Sequence, residues 1–323
     1  MEEPLHFQAK LQTQSQTFLT AEDTPIQEPA NDTVKNDDPI RNWIQKGYWP
    51  KRYFNQDISI SPPLSRKKST SSLHRKESSD EKQREEKSAP YGKPRYRTIL
   101  ETRGSFMKKA RVGITDESSL LIEALLDTDQ MVPQNSLFRD DLFDTTCEKI
   151  QCENESRVIQ DIGRLIVPSA ETLASYGATN LEHLVEAVSK DWNRSIPFYG
   201  PRPQPDYSVG FRWSAFTDCQ LEKLKPFIGG WGNTSVFMAT DTMHFPFLTC
   251  EVKCSGVALD IADRQNAHSM TLSVRGVVEL FRAVKREKEL HREILAFSIS
   301  HDHTEVRIYG HYALVDDDKI TFY

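Results

Sequence analysis

Residues 244–254, HFPFLTCEVKC, form an apolar run that carries an acid and a base near its end. The run predicts a strand. Because alternate side chains of a strand share a face, Glu251 and Lys253 project together, whereas Cys250, Val252 and Cys254 project to the other side. We therefore expect one face of this strand to be core and the other face to be either a site or solvent.

The segments around this strand predict an α/β core. Apolar residues at helical spacing predict helices at 118–126, 155–167 and 181–192, and one long helix at 259–288. Strands are predicted at 206–213, 235–240, 245–254, 293–300 and 305–315, the last two joined by the turn HDHT. The order helix, three strands, long helix and two strands indicates one domain at roughly 96–323 with helical N-terminal additions.

Residues 1–95 are predicted to be a disordered N-terminal region. The segment SPPLSRKKSTSSLHRKESSDEKQREEKSAP has too little apolar surface to offset the entropy lost on ordering. One aromatic motif, Pro39 to Phe54, stands out within it. It predicts either a short helix docked on the domain or a linear motif for a protein partner.

Composition and charge narrow the class of protein. The first ten residues lack the features of a secretory signal, and no run approaches the ~18 apolar residues of a membrane span. Five cysteines, an odd number, favour thiols in a reducing compartment over a disulfide framework. We therefore expect an intracellular protein, nuclear or cytoplasmic, without a membrane partner. A net charge of -6 leaves room for a local cationic groove.

Five residues carry a resemblance to a known superfamily. Pro205 and Asp206 open one strand, Glu251 and Lys253 lie on a later strand, and Gln265 follows twelve residues after Lys253. With the order of elements, this pattern resembles the PD-(D/E)xK nuclease superfamily, whose restriction-endonuclease-like core runs α-β-β-β-α-β. The resemblance covers roughly residues 181–315.

The resemblance implies a nuclease-like phosphodiesterase that uses Mg²⁺ or Mn²⁺ to act on DNA or RNA. Asp206 and Glu251 would bind the metal, Lys253 would assist the attacking water, and Gln265 would match the helix glutamine of the RecB-like branch. The chemistry fits, because Mg²⁺ takes carboxylate oxygens plus waters and substrate phosphate, and the carbonyl of Val252 offers one more ligand.

Two aspartates could supply the carboxylate that binds the metal together with Glu251. Asp206 and Glu251 are 45 positions apart, which is longer than is usual in the superfamily, with an insertion at 214–234 between them. Asp241 is the rival ligand, but it lies at the far end of its predicted strand. We favour Asp206.

A second resemblance points to a different class of function. The segments PFYGPRPQPDYSVGF, TCEVKC and ALDIADRQNAHSM look like a domain of unknown function found in many fungal proteins. The alternative to an enzyme is thus a catalytically inactive nuclease-fold domain that acts as a protein-interaction module.

Several other polar residues have both a functional and a purely structural explanation. Cys250 and Cys254 are ~13 Å apart on one strand and cannot bind one zinc ion together, so we expect buried thiols. His301, His303 and His311 fit no zinc pattern, and a polar hairpin tip accounts for HDHT. The long helix begins with polar residues that either face the Glu251 site or pair locally: Asp260, Asp263, Arg264, Gln265 and His268. Near its end, Lys285, Arg286 and Lys288 either meet phosphates or form a solvated face with the interleaved glutamates.

Overall fold

A computed structural model describes residues 89–127, 136–228, 232–316 and 319–323. The prediction of a disordered region therefore lies almost wholly outside the described residues, as does the aromatic motif at 39–54. Within the described ranges, no helix is long and apolar enough to cross a membrane.

The described chain forms a mixed α/β structure. Its helices are α1 (Arg95–Thr102), α2 (Asp116–Leu126), α3 (Asp140–Ile150), α4 (Glu155–Val158), a π-helical turn (Ile159–Gly163), α5 (Arg164–Ile166), α6 (Ala170–Ser175), α7 (Asp218–Ile228) and α8 (Asp260–Ala283). Its strands are β1 (Leu184–Val188), β2 (Tyr207–Phe211), β3 (His244–Val252), β4 (Ile294–His301), β5 (Val306–Val315) and β6 (Ile320–Phe322).

The six strands make one mixed sheet in the order β1-β2-β3-β4-β5-β6. All neighbours are antiparallel except β3 and β4, which run parallel because α8 connects them as a crossover. In the parallel pair Glu251 lies opposite Ser300 and Val252 lies opposite His301. From α6 to β4 the principal elements follow the order α-β-β-β-α-β, with α7 inserted between β2 and β3.

The sheet is covered on both faces. Cys250, Val252 and Tyr207 pack against the helical segment α3–α6 through residues such as Val158 and Ile162. The opposite face packs on α8, where Thr249 donates a hydrogen bond to Asn266 at 2.7 Å. Since Thr249 and Glu251 are two residues apart on β3, Glu251 belongs to the α8 side.

The helix predicted at 181–192 is wrong. After a short 3₁₀ turn at Thr179–Leu181, the chain forms β1, paired over five residues with β2. Val185 and Ala187 contribute to the core against α8, whereas Leu184 packs on the other core. The apolar residues of this segment fit both helical spacing and strand alternation. Pairing with β2 makes the segment a strand.

The strand predicted at 235–240 is also absent from the described fold. Phe237, Met238 and Ala239 are buried, but the segment forms only isolated bridges, at Ser235 and Met238. These apolar side chains are buried in the core, although within the described fold the segment makes β-type pairs with neighbouring backbone only through these two bridges. The long helix is confirmed, although it ends at Ala283 and a separate 3₁₀ turn follows at Glu287–Leu290. The strands predicted at 206–213, 245–254, 293–300 and 305–315 are confirmed, with each boundary within two residues of the prediction.

The described fold begins at Ala89, seven residues before the predicted start of the domain. Tyr91 is already buried, at 5% exposure, so packing extends at least this far into the segment that was expected to be disordered.

One prediction of stability comes from the contact between α8 and residues 235–240. A Cβ on Gly276 would lie 2.7 Å from the backbone oxygen of Val236, which cannot rotate away. We expect Gly276→Ala to lower the free energy of unfolding by about 1 to 3 kcal/mol in urea denaturation. Gly163→Ala is the control, because its Cβ would meet only Ile159 at 3.8 Å. Equal effects of the two substitutions would contradict this account of the contact.

Candidate functional site

Two predicted site residues meet where β2 begins and β3 ends. Tyr207 pairs with Cys250, so Asp206 stands just before β2 beside the last residues of β3. Asp206 accepts a hydrogen bond from the backbone N–H of Val252 at 2.8 Å. The 45-residue separation in sequence is therefore closed by the antiparallel pairing, and the first carboxylate lies against the Glu251-Val252-Lys253 segment.

Lys253 sits among acids at this strand end. Its ammonium donates to the carbonyl of Val252 at 2.6 Å and lies 4.0 Å from Glu251 and 3.5 Å from Glu155. Its backbone N–H donates to the carbonyl of His301. Glu155, the first residue of α4, was not predicted as a site residue. The Val252 carbonyl, predicted as a metal ligand, already accepts the Lys253 ammonium.

The cluster is closely enclosed. Asp206 is 1% exposed, Glu251 2% and Lys253 6%. Charges at this depth need partners, because each ion loses several kcal/mol of hydration. We call Glu155, Asp206, Glu251 and Lys253 the strand-end cluster.

Gln265 lies on α8 next to Asn266, whose amide binds the sheet at Thr249 and Ser300. The Gln265 amide oxygen is buried and has no hydrogen-bond partner among the described residues. A buried unpaired acceptor is costly unless a donor or an ion completes it. Gln265 thus offers an unused oxygen beside the part of α8 that faces β3.

The other polar residues at the start of α8 pair elsewhere. Asp260 and Asp263 form ion pairs with Arg307 of β5 at 3.0 and 2.7 Å. Arg264 donates to the carbonyl of Tyr91, and His268 hydrogen bonds to the Tyr91 hydroxyl. Pairing with distant parts of the chain, rather than with neighbours on the helix, thus accounts for these four residues.

Asp241 is far from the strand-end cluster along β3. It precedes His244, the first residue of the strand, whereas Glu251 is next to the last. Its carboxylate forms an ion pair with Arg194 at 2.5 Å. The structure therefore brings Asp206, and not Asp241, to the Glu251 end of the sheet.

Tyr91 packs against α8, a contact that the sequence did not indicate. Its hydroxyl lies 2.8 Å from Nδ1 of His268, a contact between residues 177 positions apart. The pKa of Tyr91 is raised well above its usual value, first by burial and then by the nearby Tyr96 and Glu251 carboxylate. The N-terminal segment therefore packs against α8 at His268.

A pocket opens beside Asp206 on the opposite face of the sheet. Its polar lining consists of Asp206, Tyr207, Arg164 and His301. The guanidinium of Arg164 lies over the Tyr207 ring, 4.9 Å from its centroid, and 3.3 Å from Glu186. Nε2 of His301 is buried without a hydrogen-bond partner among the described residues. Of the strand-end cluster, Asp206 is the member that lines this pocket.

The oxygen-bearing side chains at this strand end and on α8 are of the types that bind a hard cation. Mg²⁺ and Mn²⁺ accept carboxylate and amide oxygens, with waters completing the shell, and Asp206, Glu251 and Gln265 supply such oxygens. Across the described ranges, however, no three His, Cys, Asp or Glu side chains stand in a ready-made metal-binding group. Metal and waters would have to share the site with the Lys253 ammonium.

The remaining candidate residues are explained by burial or by hydrogen bonds within the fold. Cys250 is a buried thiol in the core, and burial raises its pKa to about 12. The HDHT turn is held by Asp302, which accepts hydrogen bonds from Thr304 and Glu305. His311 hydrogen bonds to Ser298 at 2.8 Å.

These observations define a mixed α/β domain with a buried acid and lysine cluster at one end of its sheet. Residues 142–323, more than half of the chain, match the model of the family described as Domain of unknown function (DUF7924). The chain belongs to this family. No match was found among the curated proteins, and none among the solved structures.

Proposed function

We propose that this protein is a divalent-metal-dependent phosphodiesterase that acts on nucleic acid. The observation that carries the proposal is the 2.8 Å hydrogen bond from the Val252 N–H to Asp206, because it unites two acids and a lysine at one strand end. The α-β-β-β-α-β order of elements agrees with the restriction-endonuclease-like core that the motif resembles.

Each residue has a role in this proposal. Asp206 and Glu251 would hold the metal ion, with the Gln265 amide oxygen as a further acceptor for it or for a bound water. The metal would supply positive charge for the phosphate in the transition state and lower the pKa of bound water. Lys253 has three N–H donors. Within the described residues one donates to the Val252 carbonyl at 2.6 Å and one to Glu155 at 3.5 Å, so the third would orient the attacking water.

Substrate would approach through the pocket beside Asp206. Arg164 lies on its wall, and a guanidinium binds phosphate oxygens through paired hydrogen bonds. His301 adds an acceptor, since its Nδ1 lies 3.2 Å from the Asp302 carbonyl and so donates there.

The burial of the cluster favours a second candidate, a catalytically inactive domain that serves as a protein-interaction module. With Asp206, Glu251 and Lys253 at 6% exposure or less, the ions can act as structural partners of one another. In that case the charges would hold the strand end in place, and neither metal nor phosphate would enter.

A cleavage assay separates the two candidates. Labelled duplex DNA, single-stranded DNA and RNA are incubated with the full chain in Mg²⁺, in Mn²⁺ and in EDTA. We expect cleavage with a divalent ion and none in EDTA. Asp206→Asn should reduce the rate by about 10²-fold or more, as expected when transition-state charge stabilisation is removed.

The substitution is chosen to preserve the fold. An asparagine side chain at this position keeps an oxygen that can accept the Val252 N–H, so we expect the stability of Asp206→Asn to change little. Asp241→Asn is the matched control, because it removes the rival carboxylate at the other end of β3, and it should leave cleavage intact. An equal fall in rate in both variants, or no cleavage by the wild type, would favour the inactive module.

A further inference from the structure

A short segment of the described chain concentrates positive charge. Between residues 93 and 111 there are seven Lys and Arg residues and a single acid, Glu101, although the whole chain carries a net charge of -6. Glu101 pairs with Arg97 at 3.3 Å. The other six cations are exposed and have no ion-pair partner among the described residues: Lys93, Arg95, Arg103, Lys108, Lys109 and Arg111. We call these six residues the basic surface.

The fold presents this charge outward. On α1, Tyr96 and Leu100 are buried in a small core with Tyr199 and Ala267, so the cations of α1 lie on the other side. Beyond α1, Ser105 hydrogen bonds to Thr271 of α8 at 2.7 Å. The N–H of Ala110 donates to the Tyr312 hydroxyl at 2.8 Å. The backbone of this segment is thus held against α8 and β5 at these two residues.

The basic surface begins beside the start of α8. Lys93 and Arg95 follow Tyr91 by two and four residues, and the Tyr91 carbonyl accepts a hydrogen bond from Arg264, the neighbour of Gln265 on α8. A polyanion bound at Lys93 and Arg95 would therefore lie near the beginning of α8.

We propose that the basic surface binds the phosphate backbone of a nucleic acid. A segment rich in exposed cations that have no carboxylate partners among the described residues suits a polymer with repeated negative charge, whose binding is driven by release of counterions. An anionic membrane is the less suitable partner, because an interfacial helix inserts an apolar face, and the apolar residues of α1 are already used in the core. This inference rests on the proposed function only in taking the bound nucleic acid to be the substrate of the strand-end cluster.

Binding is tested in EDTA, so that it is measured without metal-dependent cleavage. The full chain is titrated into labelled duplex DNA and RNA at several salt concentrations. Lys108→Gln/Lys109→Gln/Arg111→Gln should weaken binding on the order of 10- to 100-fold near ~0.1 M salt. For duplex DNA, the slope of log affinity against log salt should fall by about 0.9 for each phosphate that the variant no longer neutralises.

Two controls fix the location. Lys149→Gln/Lys223→Gln/Lys225→Gln removes the same charge at exposed residues of α3 and α7, and it should change binding much less. Lys67→Gln/Lys68→Gln tests the basic residues upstream of the described chain.

The proposal is overturned if the basic-surface variant binds like the wild type, or if either control weakens binding as much. It is also overturned if the wild type binds vesicles of phosphatidylcholine and phosphatidylserine but neither nucleic acid. Binding without cleavage in Mg²⁺ or Mn²⁺ would contradict the proposed function and leave the basic surface supported.

Discussion

Replacing Lys253 by methionine is expected to lower the free energy of unfolding by about 3 to 5 kcal/mol, as when one partner of a buried ion pair is removed. Lys253 is 6% exposed and lies between Glu251 and Glu155, at 4.0 and 3.5 Å. Without the ammonium, the buried Glu251 carboxylate loses its cation, and the Val252 carbonyl loses a hydrogen-bond donor. Urea denaturation followed by circular dichroism measures the effect.

The control is the same substitution at an exposed lysine. Lys225 pairs with Glu222 at 3.5 Å, but both side chains are 73% exposed, so Lys225→Met should cost no more than about 1 kcal/mol. The double variant Lys253→Met/Glu251→Gln should recover much of the lost stability, because neutral replacements of a buried pair often break even. A Lys253→Met effect no larger than that of Lys225→Met would show that the ammonium is not a buried partner of the acids.

The second large effect is a loss of stability in acid that comes from buried histidine. His268 is fully buried, and burial, with a smaller effect of the positive charge of Arg275, lowers its pKa to about 3. Burial also lowers the pKa of the half-buried His311 to about 4. In the unfolded chain both would titrate near pH ~6.5.

The sign follows from proton binding. Below pH ~6.5 the unfolded chain takes up a proton at each histidine that the folded chain does not, so stability falls as the pH falls towards the folded pKa values. Well below pH ~6.5 each group contributes about 1.4 kcal/mol per pH unit, and half of that slope at pH ~6.5 itself, so both together contribute roughly 3 kcal/mol between pH ~6.5 and ~5. Above that window the full stability is present.

Urea denaturation at several pH values between 5 and 7.5 tests this linkage. In His268→Gln the slope of stability against pH should fall by about 1.4 kcal/mol per unit. His311→Gln gives a second reading should the first variant fold poorly. His183→Gln, the same substitution at an exposed residue before β1, controls for the exchange of side chain itself. Parallel slopes for all variants would mean that these histidines do not remain neutral in the fold.

Local patterns were sufficient for the centre of the fold. The strands β3, β4 and β5 and the helix α8 have strong alternation or helical spacing over eight or more residues, and the sequence predicts all of them. The motif also placed Asp206 ahead of Asp241, and the sheet pairing supports that choice. The segment that became β1 was ambiguous, because its apolar residues suit both periods and only the partner strand β2 resolves them.

The rest of the candidate site depends on contacts between distant parts of the chain. Glu155 reaches Lys253 across 98 positions and Tyr91 reaches His268 across 177. No spacing rule connects residues so far apart. The cations of the basic surface are spread over residues 93–111 of an acidic chain, and Lys93 and Arg95 fall within the segment expected to be disordered. Their exposure becomes evident only after Tyr96 and Leu100 are placed in the core.

Calorimetric titration of Mn²⁺ into the wild type and into Asp206→Asn tests the central claim most directly. If the strand-end cluster is a metal-dependent phosphodiesterase site, the wild type should bind one ion per chain with measurable heat, and Asp206→Asn should lose that binding while remaining folded. A wild type that binds no divalent ion, or a variant that binds it equally well, would contradict the metal site and leave the cluster as a buried ionic support for the sheet.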